Sequence, residues 1–202
     1  MHWNILDDNR KNILPLLAEL AKDFYLAGGT GLALQFGHRD SIDFDFFTEK
    51  DFNASALFER ILGIMASHAV VKTQEEKNTL SILVDNSIKV SFMTYPYELL
   101  KPLIATEYFR IASPQDIGCM KLSAITGRSA MKDYVDIYFI LQNISLRDLL
   151  ALSSVKFPSI DSNLILKSLV YFDDVVSEPI MYKEGHDIEF EKIKKFLIEK
   201  VK

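Results

Sequence analysis

The sequence is poor in cysteine, and its single cysteine, Cys119, excludes an internal disulfide. A reducing compartment is the simplest interpretation, so we expect a cytoplasmic protein in which Cys119 is a buried free thiol. Hydrophobic runs are also short, because charge interrupts each of them well before the roughly 18 residues that a membrane-spanning helix needs. No basic leader followed by an apolar stretch opens the chain, which argues against a signal peptide.

Positive charge is not in excess either. The formal net charge is −5, from 23 Lys and Arg residues against 28 Asp and Glu residues. Nonspecific coating of duplex DNA requires a basic surface, so we expect no duplex DNA partner. Histidine and cysteine residues do not stand at zinc-ligand spacing, which argues against a structural zinc site. No Gly-Lys-Ser or Gly-Lys-Thr follows the glycines, which excludes a P-loop.

Hydrophobic residues make up 49% of the chain, which is enough for a sizeable core. In the front half, strand patterns at 24–27, 41–46, 69–73, 79–84 and 88–94 alternate with helical patterns at 12–21, 30–36 and about 53–65. From Ser113 onward the periodicity predicts helices at 113–126, 131–142, 145–153, 161–172 and 187–201. The chain is therefore expected to have an α/β front half and a helical back half.

The strongest functional signal is the segment Ser41-Ile42-Asp43-Phe44-Asp45-Phe46, whose strict alternation predicts a strand. Alternate side chains share a face, so Ile42 and both phenylalanines should point to the core, while Asp43 and Asp45 point together to the other side. Two carboxylates about 7 Å apart along a strand repel each other unless a cation lies between them. Mg²⁺ binds carboxylate oxygens together with substrate phosphates, so the pair suits that ion. A solvated polar face on an edge strand explains the pair about equally well.

A second signal is Gly28-Gly29-Thr30, between a short apolar strand and a predicted helix. Glycines let a backbone approach a ligand closely, and the start of a helix presents free N–H groups and a positive dipole end to a phosphate. An ordinary strand-to-helix turn explains a Gly-Gly pair alone better. The two signals together indicate a nucleotide site more specifically than either alone. Adjacent strands would place a phosphate-binding turn beside the pair of aspartates, and a metal-bridged triphosphate needs both.

These segments, taken in order, resemble one protein family. The stretches Gly28–Leu34 and His38–Phe46 resemble the DNA polymerase β-type nucleotidyltransferase superfamily, and within it the AbiEii/AbiGii-like nucleotidyltransferases, the toxins of bacterial abortive-infection and toxin–antitoxin systems. Two later stretches, Lys121–Arg128 and Lys132–Tyr138, are similar to the helical motif of that family. The resemblance implies an α+β class: a nucleotidyltransferase-like mixed sheet with flanking helices over residues 1–105, and a helical C-terminal region over residues 106–202 packed on it.

The resemblance also implies an activity and a set of site residues. A nucleotide would move from an NTP to an acceptor hydroxyl of tRNA or protein, with Mg²⁺ as cofactor and an antitoxin protein encoded nearby as partner. Asp43 and Asp45 would be catalytic residues that ligate the metal. The remaining residues would surround the nucleotide: Gly28, Gly29, Thr30, Arg39, Ser41, Lys121, Lys132 and Asp136.

Three side chains in or near this set have plainer interpretations. Lys132 and Asp136 lie one helical turn apart and can share a face, where a surface salt bridge worth under about 0.5 kcal/mol is the ordinary outcome. His38 precedes the acid pair in a predicted loop, and we expect it to have no role.

One departure from the superfamily pattern bears on activity. A third carboxylate usually follows the acid pair on a later strand, as general base or second-metal ligand, but the predicted strand 88–94 has Ser91 there. Serine cannot act as a carboxylate base and is a poor Mg²⁺ ligand. Three explanations stay open: another acid such as Asp85 or Asp136 substitutes, the enzyme works with fewer ligands, or the protein binds nucleotide without turnover. The alternative function is accordingly a catalytically weak or inactive nucleotide-binding or interaction protein on the same fold.

Overall fold

A mixed sheet of seven strands organises the front half of the molecule in the computed structural model, which describes residues 1–202. In chain order the strands are β1 Tyr25–Leu26, β2 Phe44–Thr48, β3 Val70–Glu76, β4 Thr79–Val84, β5 Ile88–Thr94, β6 Ile104–Ala105 and β7 Arg110–Ile111. Their spatial order in the sheet is β3-β4-β5-β2-β1-β7-β6. Strand β2 is central, parallel to β5 on one side and antiparallel to β1 on the other.

Eight α-helices surround and follow the sheet: α1 Asp8–Leu20, α2 Gly28–Phe36, α3 Ala54–Ile64, α4 Pro114–Ala124, α5 Met131–Ile140, α6 Leu146–Lys156, α7 Ser162–Val170 and α8 Phe190–Val201. The five helices expected after Ser113 are therefore confirmed, and so is the α+β class. Short polar side chains cap five of the eight helices by accepting a hydrogen bond from a first-turn N–H, namely Asp7, Asn53, Ser113, Ser145 and Asp161. None of the helices has both the length and the apolar character needed to cross a membrane.

Two hydrophobic cores lie on opposite faces of the sheet. Phe44 and Phe46 of β2 pack into one core with α1 and α3, whereas Phe47 packs into the other core with α4 to α8. Since side chains alternate along a strand, Asp45 points to the same face as Phe47. The acid pair therefore faces the helical half of the protein.

Several expectations about the strands are corrected. The strand begins at Phe44 because pairing with β5 starts there, so Asp43 lies in the preceding loop and Ile42 is 57% exposed instead of buried in the core. The edge-strand interpretation of the acid pair is wrong, since β2 is central. Strands β6 and β7 are new; each is two residues long, too short for any periodicity, and β7 joins the sheet beside β1 although it lies beyond residue 105.

A buried ion pair joins the helical region to the connection after the sheet. The Nζ atom of Lys156 lies 2.9 Å from Asp116 Oδ1, both side chains are inaccessible to solvent, and the same ammonium donates to the Glu98 carbonyl at 2.6 Å. Asp116 also accepts hydrogen bonds from the Leu100 N–H at 2.9 Å and the Ser113 hydroxyl at 2.8 Å. The pair thus holds α4, α6 and the chain around residue 100 together.

We expect Lys156→Met to lower the free energy of unfolding by about 3–5 kcal/mol, because the substitution leaves the Asp116 carboxylate buried without its cation. Urea denaturation at pH 7 measures the change. Lys11→Met is the matched control, since it removes an exposed ammonium that pairs with Asp8 at 3.4 Å, a contact worth under about 1 kcal/mol. Equal losses in the two variants would contradict the structural importance of the buried pair.

Candidate active site

Asp43 and Asp45, the acid pair, meet Gly28 and Gly29, the glycine turn, at the edge of a cavity of about 800 Å³ between the sheet and the helical region. Gly28 has a φ of +65°, in the left-handed region that favours glycine, and a Cβ placed on it would lie 3.2 Å from Asp45 Oδ2. The antiparallel pairing of β1 with β2 produces this contact, since the Ala27 N–H donates to the Asp45 carbonyl at 3.1 Å. The expected juxtaposition of turn and acid pair is confirmed.

The charge of the acid pair is poorly compensated by the protein. Burial raises the pKa of the Asp45 carboxyl, and the negative charge of Asp43 raises it further, while Lys89, Lys121 and Arg128 oppose the rise. Such a shift is expected when two carboxylates share a site without a cation between them. Mg²⁺ commonly uses one or two carboxylates together with substrate phosphates, so these oxygens, beside a turn without side chains, fit that ion. The chain contains no group of three His, Cys, Asp or Glu side chains arranged to hold a metal.

Thr30 and Ser41 position the loop that carries Asp43. The Thr30 side chain is 2% exposed, its hydroxyl donates to the backbone carbonyl of Asp43, and its Oγ1 lies 2.8 Å from the Ser41 Oγ. Both residues line the cavity. The polar side of Thr30 is thus directed to the protein backbone, and the contact fixes where β2 begins.

The Arg39 side chain passes over the glycine turn and binds the buried carboxylate of Asp136. Its Nε and Nη2 atoms donate to the two oxygens of Asp136 at 2.8 and 2.9 Å, a bidentate arrangement. A Cβ placed on Gly29 would lie 2.5 Å from Arg39 Nη2, so only glycine leaves room for the guanidinium to pass. The second glycine therefore serves the arginine as well as the backbone of the turn.

Asp136 is fully buried and accepts from three side chains. Besides Arg39, the Lys121 Nζ lies 2.6 Å from its Oδ2, and the His38 Nε2 lies 2.9 Å from its Oδ1. Burial alone would raise the pKa of Asp136, but the Arg39 and Lys121 charges outweigh burial and hold that pKa well below its ordinary value. Burial lowers the pKa of His38 despite its carboxylate partner, which favours a neutral ring donating from Nε2. The expectation that His38 has no role is wrong.

A second buried carboxylate, Asp133, was not singled out from the sequence. It accepts from Lys121 Nζ at 2.7 Å and from Arg128 Nε at 2.7 Å. Lys121 of α4 therefore bridges two acids of α5 that lie three residues apart and face the same way. We call Arg39, Lys121, Arg128, Asp133 and Asp136 the buried ionic network; its three cations exceed its two carboxylates by one positive charge.

Lys132 does not pair with Asp136, although the two residues are one turn apart on α5. Its Nζ lies 3.7 Å from Glu178 Oε2, and its backbone N–H donates to Glu178 Oε1 at 3.2 Å. Glu178 belongs to a segment that follows α7 and crosses the site, where the Asp40 N–H donates to the Met181 carbonyl at 2.8 Å. No local pattern indicated the contact between Lys132 and Glu178, because the two residues are 46 positions apart in the chain.

Ser91 occupies the position expected for the missing carboxylate. It pairs with Asp45 in the parallel register of β2 and β5, is buried, and lies 3.2 Å from the Ser81 hydroxyl of β4. Neither acid considered as a substitute takes its place. Asp85 lies in the β4–β5 turn and contacts His68 at 2.7 Å, and Asp136 is committed to the buried ionic network.

A family profile and a relative of known sequence match most of the chain. The profile of the family described as "Nucleotidyl transferase AbiEii toxin, Type IV TA system" matches residues 16–200. A protein of Aquifex aeolicus (strain VF5), described as uncharacterized, is 39% identical over 191 residues, which is 91% of this chain and 88% of that protein.

Solved structures share the fold. JHP933 from Helicobacter pylori superimposes with a TM-score of 0.62 at 18% identity, over 97% of this chain and 91% of that one. MenT4, a nucleotidyltransferase toxin from Mycobacterium tuberculosis H37Rv, gives a TM-score of 0.62 at 13% identity, over 96% of this chain and 81% of that one. At these identities the likeness extends to the fold alone.

We expect Asp136→Asn to lower the free energy of unfolding by about 3 kcal/mol at pH 7, because the buried cations lose their common anion. Since the pKa of Asp136 is depressed in the folded protein, its stabilisation is present above its ordinary value near 4 and is lost as the pH falls below it. The difference between wild type and variant should therefore shrink between about pH 5 and pH 3. Urea denaturation across that range measures the difference, with the exposed Asp23→Asn as control. A difference independent of pH would contradict the assignment.

Proposed function

Because the chain belongs to the AbiEii nucleotidyltransferase toxin family, we propose that it transfers a nucleotide from an NTP to an acceptor hydroxyl in a Mg²⁺-dependent reaction. The observation that carries this proposal is the contact between Gly28 and Asp45. It brings a turn that can approach phosphates closely against a carboxylate pair that lacks a balancing cation, and both line one cavity.

Asp43 and Asp45 would hold Mg²⁺, which supplies positive charge to the reacting phosphates and the leaving pyrophosphate. The backbone at the start of α2, at Gly28 and Gly29, would donate N–H groups to the phosphates. Thr30 keeps the Asp43 carbonyl in place, so the two carboxylates hold their separation. The acceptor hydroxyl would attack the α-phosphorus in line, and pyrophosphate would leave.

Cations also line the cavity. Arg39, Lys121 and Arg128 line it together with Lys132, and the buried ionic network has one positive charge in excess. Arg128 is the accessible member of the network, with 58% of its side chain exposed, so it can reach a phosphate without leaving Asp133. The bidentate contact with Asp136 fixes the Arg39 guanidinium, so its positive charge lies at a fixed position beside the cavity.

We further propose that the acceptor is a hydroxyl of tRNA or protein and that the chain acts as a cytoplasmic toxin restrained by an antitoxin encoded nearby. The support for this part is the family description, which names a toxin of a type IV toxin–antitoxin system, and the likeness in fold to the toxin MenT4.

Nucleotide binding without turnover is the second candidate, and Ser91 is the observation that favours it. The hydroxyl beside Asp45 can accept or donate a hydrogen bond but cannot serve as a carboxylate base. Transfer and binding must therefore be measured separately.

Incubation of the protein with each α-³²P-labelled NTP and Mg²⁺, in the presence of total tRNA or cell protein, tests the transfer. We expect one labelled acceptor, and we expect Asp45→Asn to lower the rate at least about 10²-fold, since it removes charge stabilisation at the reacting phosphates. Asp23→Asn, which makes the same change on an exposed residue outside the cavity, should transfer normally. Mg²⁺-dependent NTP binding without any transfer would favour the second candidate, and no binding would refute both.

A further inference from the structure

A lysine stands on the side of the acid pair that faces away from the glycine turn. Strand β5 flanks β2 opposite β1, so the carboxylates lie between the turn at the end of β1 and the side chains of β5. Lys89 and Ser91 are two residues apart on β5 and share a face, and the pairing of Ser91 with Asp45 shows that this is the face of the acid pair. Lys89, Asp43 and Asp45 all line the same cavity.

Lys89 lies beside the start of the paired strands, next to the loop that carries Asp43. Strands β2 and β5 run parallel and their pairing begins with Phe44 beside Val90, so Lys89 and Asp43 each precede that first pair by one residue. The Lys89 side chain is exposed and lines the cavity. A cation therefore already stands near the position where a second metal-ligating group is absent.

The carboxylates of the site balance one divalent cation and no more. Asp43 and Asp45 carry two negative charges. The neighbouring residue on β5 is Ser91, whose hydroxyl accepts a hydrogen bond from that of Ser81. The chain offers no third acidic or imidazole side chain to this group. A second divalent ion would lack a protein anion, whereas an ammonium on a flexible stem needs none.

We propose that Lys89 binds the triphosphate directly and takes the place of a second divalent cation, so that the site holds one Mg²⁺ per bound nucleotide. This inference rests on the proposed function, because it concerns the same site. Lys89 would approach the phosphates from β5, while the glycine turn approaches them from β1. One metal ion and the Lys89 ammonium would then do what two metal ions do in a two-metal site. Ser91 leaves open the space that a third carboxylate would fill.

Electron paramagnetic resonance of Mn²⁺, used in place of Mg²⁺, counts the ions without reliance on turnover. The wild-type protein is titrated with Mn²⁺ in the presence of the α,β-methylene analogues of ATP, GTP, CTP and UTP in turn. We expect one bound Mn²⁺ per chain, with the six-line spectrum of an isolated ion. Two ions at the spacing of about 4 Å that is typical of two-metal sites would instead give a broadened, coupled spectrum.

Lys89→Met tests the contact with the phosphates. At saturating Mn²⁺ we expect the variant to bind the preferred analogue about tenfold more weakly, the loss typical of one charge-assisted hydrogen bond. Lys195→Met is the matched control, because Lys195 is also exposed but lies on α8 outside the cavity. Its affinity should equal that of the wild type.

The outcomes separate this inference from the proposed function. Two coupled Mn²⁺ ions in the wild type, or equal affinities in Lys89→Met and Lys195→Met, would overturn the inference and leave the proposed function standing. No Mn²⁺-dependent binding of any analogue would overturn both. One isolated ion together with the weaker binding of Lys89→Met supports the inference.

Discussion

The site depends on the burial of one carboxylate, that of Asp136. Removing an ionised carboxyl group from water costs several kcal/mol, and only the combined contacts with Arg39, Lys121 and His38 offset that cost. Those partners come from the loop before β2 and from α4, whereas Asp136 belongs to α5. The charge can stay buried only when all three elements are in place, so the contact ties the helical half of the molecule to the loop that carries the acid pair.

That constraint explains the composition of the glycine turn. The Arg39 guanidinium must cross the chain at Gly29 to reach Asp136, and Asp45 must fit against the backbone at Gly28. A side chain at either glycine would occupy space that a functional group now fills. The same two residues therefore serve the stability of the buried ionic network and the shape of the cavity wall.

Groups of both charges line the cavity. Asp43 and Asp45 contribute negative charge, with the pKa of Asp45 raised by burial and by the charge of Asp43, and the buried ionic network contributes an excess positive charge. A triphosphate with a divalent cation is complementary to both sets of groups at once. The excess of positive charge is small because buried carboxylates of α5 neutralise most of it, which keeps the cations in fixed positions even without a ligand.

Local residue patterns by themselves determined the acid pair, the glycine turn and the helices after Ser113, because each depends on neighbours within a few residues. Family resemblance in the sequence added the class of reaction. Only the tertiary structure decided that β2 is central, that His38 and Asp133 are buried partners, and that Lys132 pairs with Glu178 instead of Asp136. Those outcomes depend on which distant segments come together, and the burial of a charge is settled by partners that the local sequence does not contain.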